Sequence, residues 1–221
     1  MFRRELVNFQ ELKTEQSEKG RYYLTPNGRY PSITTVLSKQ PEKLQSLANW
    51  RKRVGDEEAN RISSRAARRG TSIHKMFENY ITDNTLPDST VMPSNLMMFN
   101  EMRKVVDANL SVIHALEAPM YSNELRVAGR CDLIGAWNGS TAIIDFKTSR
   151  KEKRKEYITD YFIQCSAYAI MFEELTSIVC SDIVIVMGCD ETPYPLVFIE
   201  KTNDYKGLAR QIINEYYENN G

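Results

Sequence analysis

The stretch VAGRCDLIGAWNGSTAIIDFKTS, residues 127–149, decides how this chain folds. It holds two apolar runs of strand character, VAGRCDLIG (127–135) and IIDFKTS (143–149), with AWNGST (136–141) in the connection. Asn-Gly between two such runs signals a hairpin, because the two-residue turn that matches strand twist needs positive φ at both central residues. Side chains alternate between the faces of a strand. Asp145 and Lys147 therefore project together, while Ile144 and Phe146 enter a core on the other side. A hairpin about Asn138-Gly139 brings Asp132 close to Asp145. Asp-x-Lys alone reads equally well as a solvated ion pair. Here, however, both acids lie inside strongly apolar sequence, where an unpaired carboxylate is costly to bury. Two carboxylates and an ammonium at the end of a sheet form a device for holding a divalent cation beside a phosphodiester.

Working outward, GTSIH (70–74) precedes this stretch on a helix, GRCD (129–132) and DFK (145–147) lie within it, and QCSAY (164–168) follows on another helix. In that order the four motifs resemble the PD-(D/E)XK nuclease superfamily, specifically its RecB-like exonuclease branch, which holds phage and mitochondrial exonucleases. The segment YPSITTVLS (30–38) is similar to the one that opens this branch, so the resemblance covers residues 28–170. The acid of the (D/E)-x-K element is Asp145 here, where many members carry Glu.

The resemblance implies a restriction-endonuclease-like αβββαβ core of mixed α/β class and a metal-dependent DNA exonuclease acting on single strands or DNA ends. It implies Asp132 and Asp145 as ligands of one or two Mg²⁺ or Mn²⁺ ions, with the Phe146 carbonyl completing the inner shell. His74 is a further ligand, with a hydrogen-bonded core histidine as its bland alternative. Glu117 is another, in competition with Glu124 and Glu78. Lys147 is the catalytic cation, Gln164 and Tyr168 line the site and touch DNA, and the products carry 5′-phosphates. Two other functions share these residues: a ring-forming, duplex-specific exonuclease of the lambda type, and a silent DNA-end-binding module. The intact Asp132, Asp145 and Lys147 argue against the last.

The bulk properties are those of one globular domain: 221 residues, 42% hydrophobic and 26% charged. No apolar run approaches the roughly 20 residues of a membrane span, so no membrane partner is expected. The start, MFRRELVNFQELKTEQ, lacks a signal-peptide core and is too acidic for a transit peptide. A cytoplasmic protein is expected, in the bacterial host if phage-encoded. Cysteines 131, 165, 180 and 189 show no C-x-x-C spacing and read as buried thiols, which argues against an iron–sulfur cluster. Two histidines make zinc improbable. The zero net charge conceals an asymmetry: residues 1–75 hold 16 Lys+Arg and 8 Asp+Glu, and the remainder 13 and 21. A basic first third suits a phosphate backbone, as it also suits solvated helix faces.

Residues 1–20 read as a peripheral segment and 21–221 as a single domain, with a hairpin and helical DNA-binding elaboration over 21–110 and a catalytic core over 111–221. A hairpin turning at Asn27-Gly28, helices over 41–54, 56–69 (closed by Gly70), 72–82 and 94–109, strands near 112–121, 125–136 and 141–148, a helix over 159–175, strands at 182–189 and 195–200 and a helix over 203–218 are expected. Arg61, Arg65, Arg68 and Arg69 form a basic stripe that can grip single-stranded DNA, or a solvated face balanced by Asp56, Glu57 and Glu58. Ser32, Thr34 and Thr35 are candidate phosphate donors, Tyr22, Tyr23 and Tyr30 candidate stacking rings, and RKEKRK (150–155) a mobile grip. The expected partner is single-stranded DNA, with a single-strand-binding protein or recombinase beside it and the chain itself a monomer.

Overall fold

A computed structural model describes residues 2–88 and 90–220. In chain order the elements are β1 (Arg3–Arg4), β2 (Lys13–Ser17), β3 (Gly20–Thr25), β4 (Gly28–Pro31), α1 (Ile33–Ser38), α2 (Pro41–Val54), α3 (Asp56–Asp83), α4 (Pro93–Asn109), β5 (Leu110–Ser122), β6 (Val127–Trp137), β7 (Ser140–Ser149), a 3₁₀ turn (Lys155–Tyr157), α5 (Thr159–Thr176), β8 (Asp182–Cys189), β9 (Leu196–Lys201) and α6 (Thr202–Asn220). Strands β1-β5-β6-β7-β8-β9 form one sheet in that spatial order, and β2-β3-β4 a small second one. The meander β5-β6-β7 is antiparallel, α5 carries the chain across to β8 parallel to β7, and β9 returns antiparallel. This is the expected mixed α/β architecture with an αβββαβ core.

Helices cover both faces of the large sheet. On one side α5 and α6 pack on Ile143, Ile183, Ile185 and Met187; on the other α3 and α4 pack on Ile144, Phe146, Val184 and Val186. α5 is apolar nearly all round, as a helix sandwiched between sheet and α6 must be. The second half of α3 presents a stripe of Ile73, Met76, Phe77, Tyr80 and Ile81, and Phe77 stacks on Phe146 with ring centroids 3.9 Å apart. Among the described residues no helix is long and apolar enough to cross a membrane. All four cysteines are free and buried.

Several local expectations differ from what forms. Gly70 does not close a helix: α3 runs unbroken from Asp56 to Asp83. An interior glycine costs only about 1 kcal/mol against alanine, less than the packing of the stripe beyond it returns. The turn of the β3–β4 hairpin is Pro26-Asn27, one residue earlier than expected, with Thr25 paired to Gly28. The first twenty residues are tied to the body. β1 pairs parallel to Val112 and Ile113, Glu5 and Val7 extend the pairing through their amides, and β2 joins the small sheet. The bare edge of β5 offers unpaired backbone groups that such a segment satisfies. Tyr22, Tyr23 and Tyr30, expected as free rings, are buried. In the 150–155 run Arg150 pairs with Glu191, Lys153 with the Tyr161 hydroxyl and Lys155 with Glu200.

Candidate active site

The site is a fork in the sheet. The Asn138-Gly139 turn, with φ of 49° and 86°, closes the β6–β7 hairpin. Pairing between these strands then runs from Trp137–Ser140 as far as Leu133–Ile144. Beyond that pair β6 stays with β5, and β7 stays with β8. Where the ladder opens, the Asp132 carboxylate takes over: its Oδ2 accepts the Phe146 amide at 2.9 Å. A side chain thus satisfies a backbone donor that a strand partner would otherwise hold.

Strict alternation fails at the same level, and this aims the candidate ligands. Cys131 and Leu133 are two apart in β6, yet one lies in the α5-side core and the other in the α3-side core. In β5, Ala118 lies in the α5-side core while Leu116 packs on the α3 side. Between them Glu117 has φ of 48°, a left-handed conformation that is costly for a residue with a side chain. Its carbonyl is held by Arg130 Nη1 at 2.7 Å, and Arg130 is in turn paired with Glu11 at 2.6 Å. The two strands change face together, so Asp132 and Glu117 meet His74 of α3. His74, Glu117 and Asp132 each offer one ligand atom within 4.8 Å of the others.

Asp145 and Lys147 keep to the α5 side. Asp145 is 1% exposed and ion-paired with the Lys147 ammonium. Burial pushes the Asp145 carboxyl up to about 6, against the pull of Lys147 and with the Asp132 charge adding to the rise. Burial disfavours the Lys147 ammonium, but Asp145 and Asp132 outweigh it and hold the group above the ordinary lysine range. Burial likewise opposes charge on His74, yet Asp132 wins and raises the imidazole to about 9. His74 Nδ1 lies 3.3 Å from Asp132 Oδ1, and its Nε2 lies 2.7 Å from the Phe146 carbonyl. Burial would raise Asp132, and His74 holds it below the usual carboxylate range instead. Burial, then the Asp132 charge, pushes Glu117 up to about 7. The group is a closely balanced set of acids and cations with little water to screen it.

α5 closes the site through Gln164, whose Nε2 reaches Asp145 Oδ1 at 3.4 Å and the Tyr168 hydroxyl at 3.3 Å. Tyr168 explains the glycine in GRCD. A Cβ on Gly129 would fall 2.6 Å from Tyr168 Cε1, so two motifs far apart in sequence are one contact.

These residues fit a divalent cation. The donor set is rich in carboxylate and carbonyl oxygen, as Mg²⁺ and Mn²⁺ require. Asp145 Oδ2 is ion-paired with the Lys147 ammonium, and the Phe146 carbonyl faces the His74 imidazole, so oxygen donors and cations converge at one point. Asp145 stands outside the three-residue cluster because it lies on the other side of the fork from His74 and Glu117.

The remaining expected residues are dispersed. Ser32 and Thr35 are buried in the turn they build: Ser32 Oγ caps α1 by accepting the Thr35 amide at 3.0 Å, and Thr35 Oγ1 accepts the Arg21 amide at 3.0 Å. Their hydroxyls are spent on the fold, leaving Thr34 exposed. Arg61 is paired with Glu58 at 2.7 Å, which matches the solvated-face reading. Arg65, Arg68 and Arg69 line a cleft of about 570 Å³ with Ser72 and Asn95, and Arg69 is paired with Asp190. One residue of the site escaped sequence reading: Arg130 sits unremarked inside GRCD, yet it holds the Glu117 carbonyl.

Residues 90–182 match the profile of the PD-(D/E)XK nuclease superfamily, and Glu117, Asp132, Asp145, Lys147, Gln164 and Tyr168 all fall inside the match. The chain is similar to human mitochondrial genome maintenance exonuclease 1, with 27% identity over 151 residues, covering 62% of this chain and 42% of that protein. Its similarity to the Xenopus tropicalis protein of the same name is 24% over 151 residues, covering 64% and 43%. The chain therefore spans less than half the length of these relatives. A solved structure from Eubacterium rectale aligns over 70% of this chain and 65% of its own, with 12% identity and a TM-score of 0.46.

Proposed function

We propose that this chain, whose residues 90–182 carry the PD-(D/E)XK nuclease superfamily match, is a divalent-metal-dependent nuclease that hydrolyses DNA phosphodiester bonds, working as an exonuclease on single strands or strand ends. The observation that carries the proposal is the fork: it opens between β6 and β7 and gathers Asp132, Asp145, Lys147, His74 and Glu117 from four elements. Asp132, Glu117 and His74, with the Phe146 carbonyl and Asp145 beside them, would hold Mg²⁺ or Mn²⁺. Bound there, the ion supplies Lewis-acid polarisation of a phosphate oxygen and a more acidic water.

The protein's own groups have distinct tasks. Lys147 is ion-paired with Asp145 and held above the ordinary lysine range, and its task is that of a cation that orients the attacking water and offsets charge on the phosphoryl oxygens. Asp145 keeps that ammonium in place. Gln164 bridges Asp145 and Tyr168 and lines the α5 side of the strand's path. Thr34, Arg65, Arg68 and Arg69 are the remaining candidates for phosphate contacts. The reading includes a soluble monomer that works on DNA ends in phage or bacterial replication, recombination or degradation, beside a single-strand-binding protein or recombinase.

The test is digestion of internally labelled linear and circular single strands and of blunt duplex, with Mg²⁺, Mn²⁺ or EDTA, by wild type and Lys147→Ala. A metal-dependent ladder on linear single strands, absent from circles and from the variant, is expected. Equal cutting of blunt duplex would favour the ring-forming duplex enzyme. Intact DNA in every lane beside tight binding would leave a DNA-end-binding module.

A further inference from the structure

We propose that the cleft between α1, α2 and α5 is a pocket for one unpaired nucleobase of the strand lying at the catalytic centre, with Trp50 and Tyr161 as its stacking walls. The inference rests on the nuclease reading and adds to it a base subsite and a physical reason for single-strand preference.

The cleft has a volume of about 510 Å³ and is walled by Leu37, Leu47, Trp50 and Tyr161, with Thr34 and Ser38 among its polar edges. That volume lies within the roughly 300–1,000 Å³ of small-ligand pockets. It adjoins the catalytic centre, because Gln164 lines the cleft and also reaches Asp145 at 3.4 Å. Tyr161 is a cleft wall that lies beside two cations. The Lys147 ammonium lies 5.1 Å and the Lys153 ammonium 5.4 Å from its ring centroid. Cations beside an aromatic wall suit one nucleotide, its phosphate near the ammoniums and its base against the rings.

α2 shows why an occupant is needed. Its fourteen residues include none that is buried, and Leu44 and Leu47 are 48% and 51% exposed. Helices of soluble proteins are normally held by burying an apolar stripe. Here Leu47 and Trp50, three apart on one face, turn that stripe toward the cleft instead. The ammoniums beside Tyr161 favour an anionic occupant over a neutral apolar segment, and a nucleotide of the strand at the adjoining centre supplies both a phosphate and an apolar base face. Ser46 can donate or accept, while the Ser38 hydroxyl donates to the Thr35 carbonyl at 2.7 Å and is left as an acceptor, so the polar edge reads no particular base. A base held in a duplex cannot enter it.

Trp137 is buried, so Trp50 is the tryptophan whose emission a stacked base would quench. The experiment titrates oligothymidylate, the same strand with one abasic site moved along it, and a duplex. It uses wild type in EDTA and Lys147→Ala with Mg²⁺, and follows tryptophan emission and fluorescence anisotropy of a labelled strand. Saturable quenching by the single strand is expected, with affinity falling about 5- to 150-fold for one position of the abasic site. In Trp50→Ala, intact and abasic strands should bind alike by anisotropy, and Trp50→Phe should restore the discrimination. Trp50 is half-buried on a helix with no fully buried residue, so Trp50→Ala should keep the fold, which its circular dichroism spectrum checks. Discrimination that survives in Trp50→Ala, quenching by duplex equal to that by single strand, or no quenching at all overturns the pocket. Quenching without metal-dependent cutting by wild type would sustain the pocket and sink the nuclease reading. Cutting without abasic discrimination would do the reverse.

Discussion

Gly129→Ala should destabilise the chain through a single contact. The added methyl would lie 2.6 Å from Tyr168 Cε1, 3.1 Å from its hydroxyl and 3.3 Å from Cζ. Carbon atoms in good contact sit about 3.5–4.0 Å apart, so the overlap with the ring is about 1 Å. Tyr168 is 3% exposed and belongs to the α5-side core, where no free volume lets the ring swing aside. Overpacking of this kind costs about 1–3 kcal/mol, which for a chain of this size lowers Tm by roughly 2–12 °C. Urea unfolding followed by circular dichroism measures it. The decisive arm is the cycle with Tyr168→Ala. That change alone removes a buried ring at about 3–5 kcal/mol, but it also makes room for the methyl. The double variant should therefore be at least 1 kcal/mol more stable than the sum of the single changes predicts. Additivity within about 0.5 kcal/mol, or a Gly129→Ala variant as stable as wild type, would refute the contact as the reason for glycine.

Other outcomes follow from the same geometry. Lys147→Ala should lose at least about 100-fold in hydrolysis while keeping its circular dichroism spectrum, and its Tm should fall because Asp145 is left buried without its cation; activity within tenfold of wild type would remove Lys147 from the chemistry. Glu117→Asn should raise stability by up to about 1 kcal/mol, since asparagine tolerates the left-handed backbone better. The same variant should weaken Mn²⁺ binding about tenfold by titration calorimetry, and lower stability with unchanged Mn²⁺ affinity would contradict both roles given to Glu117. Arg69→Ala should cost about 1–3 kcal/mol, because Arg69 is only 11% exposed and its pair with Asp190 ties α3 to the end of β8; a change below about 0.5 kcal/mol in urea unfolding would show the pair to be incidental.

Much of the architecture was legible because it rests on local chemistry. Asn138-Gly139 is a turn by backbone conformation alone, and the apolar runs on either side of it could only be buried strands. The helices α2, α4, α5 and α6 begin and end within a few residues of their expected bounds, since periodicity and breakers are written along the chain. Legibility failed where a distant packing surface outweighed a local signal. Gly70 reads as a stop and is overridden by the stripe that packs on Phe146. Ser32 and Thr35 read as free hydroxyls, yet they are enclosed by Arg21 and the β3 strand, which no spacing reveals.

The sequence by itself determined that Asp145 and Lys147 share a face and that Asp132 returns to meet them, because two-residue alternation and a two-residue turn are properties of neighbouring peptides. Only the tertiary structure decided where Asp132 points. The face change at Glu117 and Asp132 breaks the alternation that any sequence reading must assume, and it is held by Arg130, by His74 on α3 and by the amide of Phe146. The same holds for Trp50, which acquires a neighbour in Tyr161 through the packing of α1 and α2 against α5. Local rules act over a few residues, whereas these partners lie from 13 to more than 100 residues apart, brought together by the burial of two cores around one sheet.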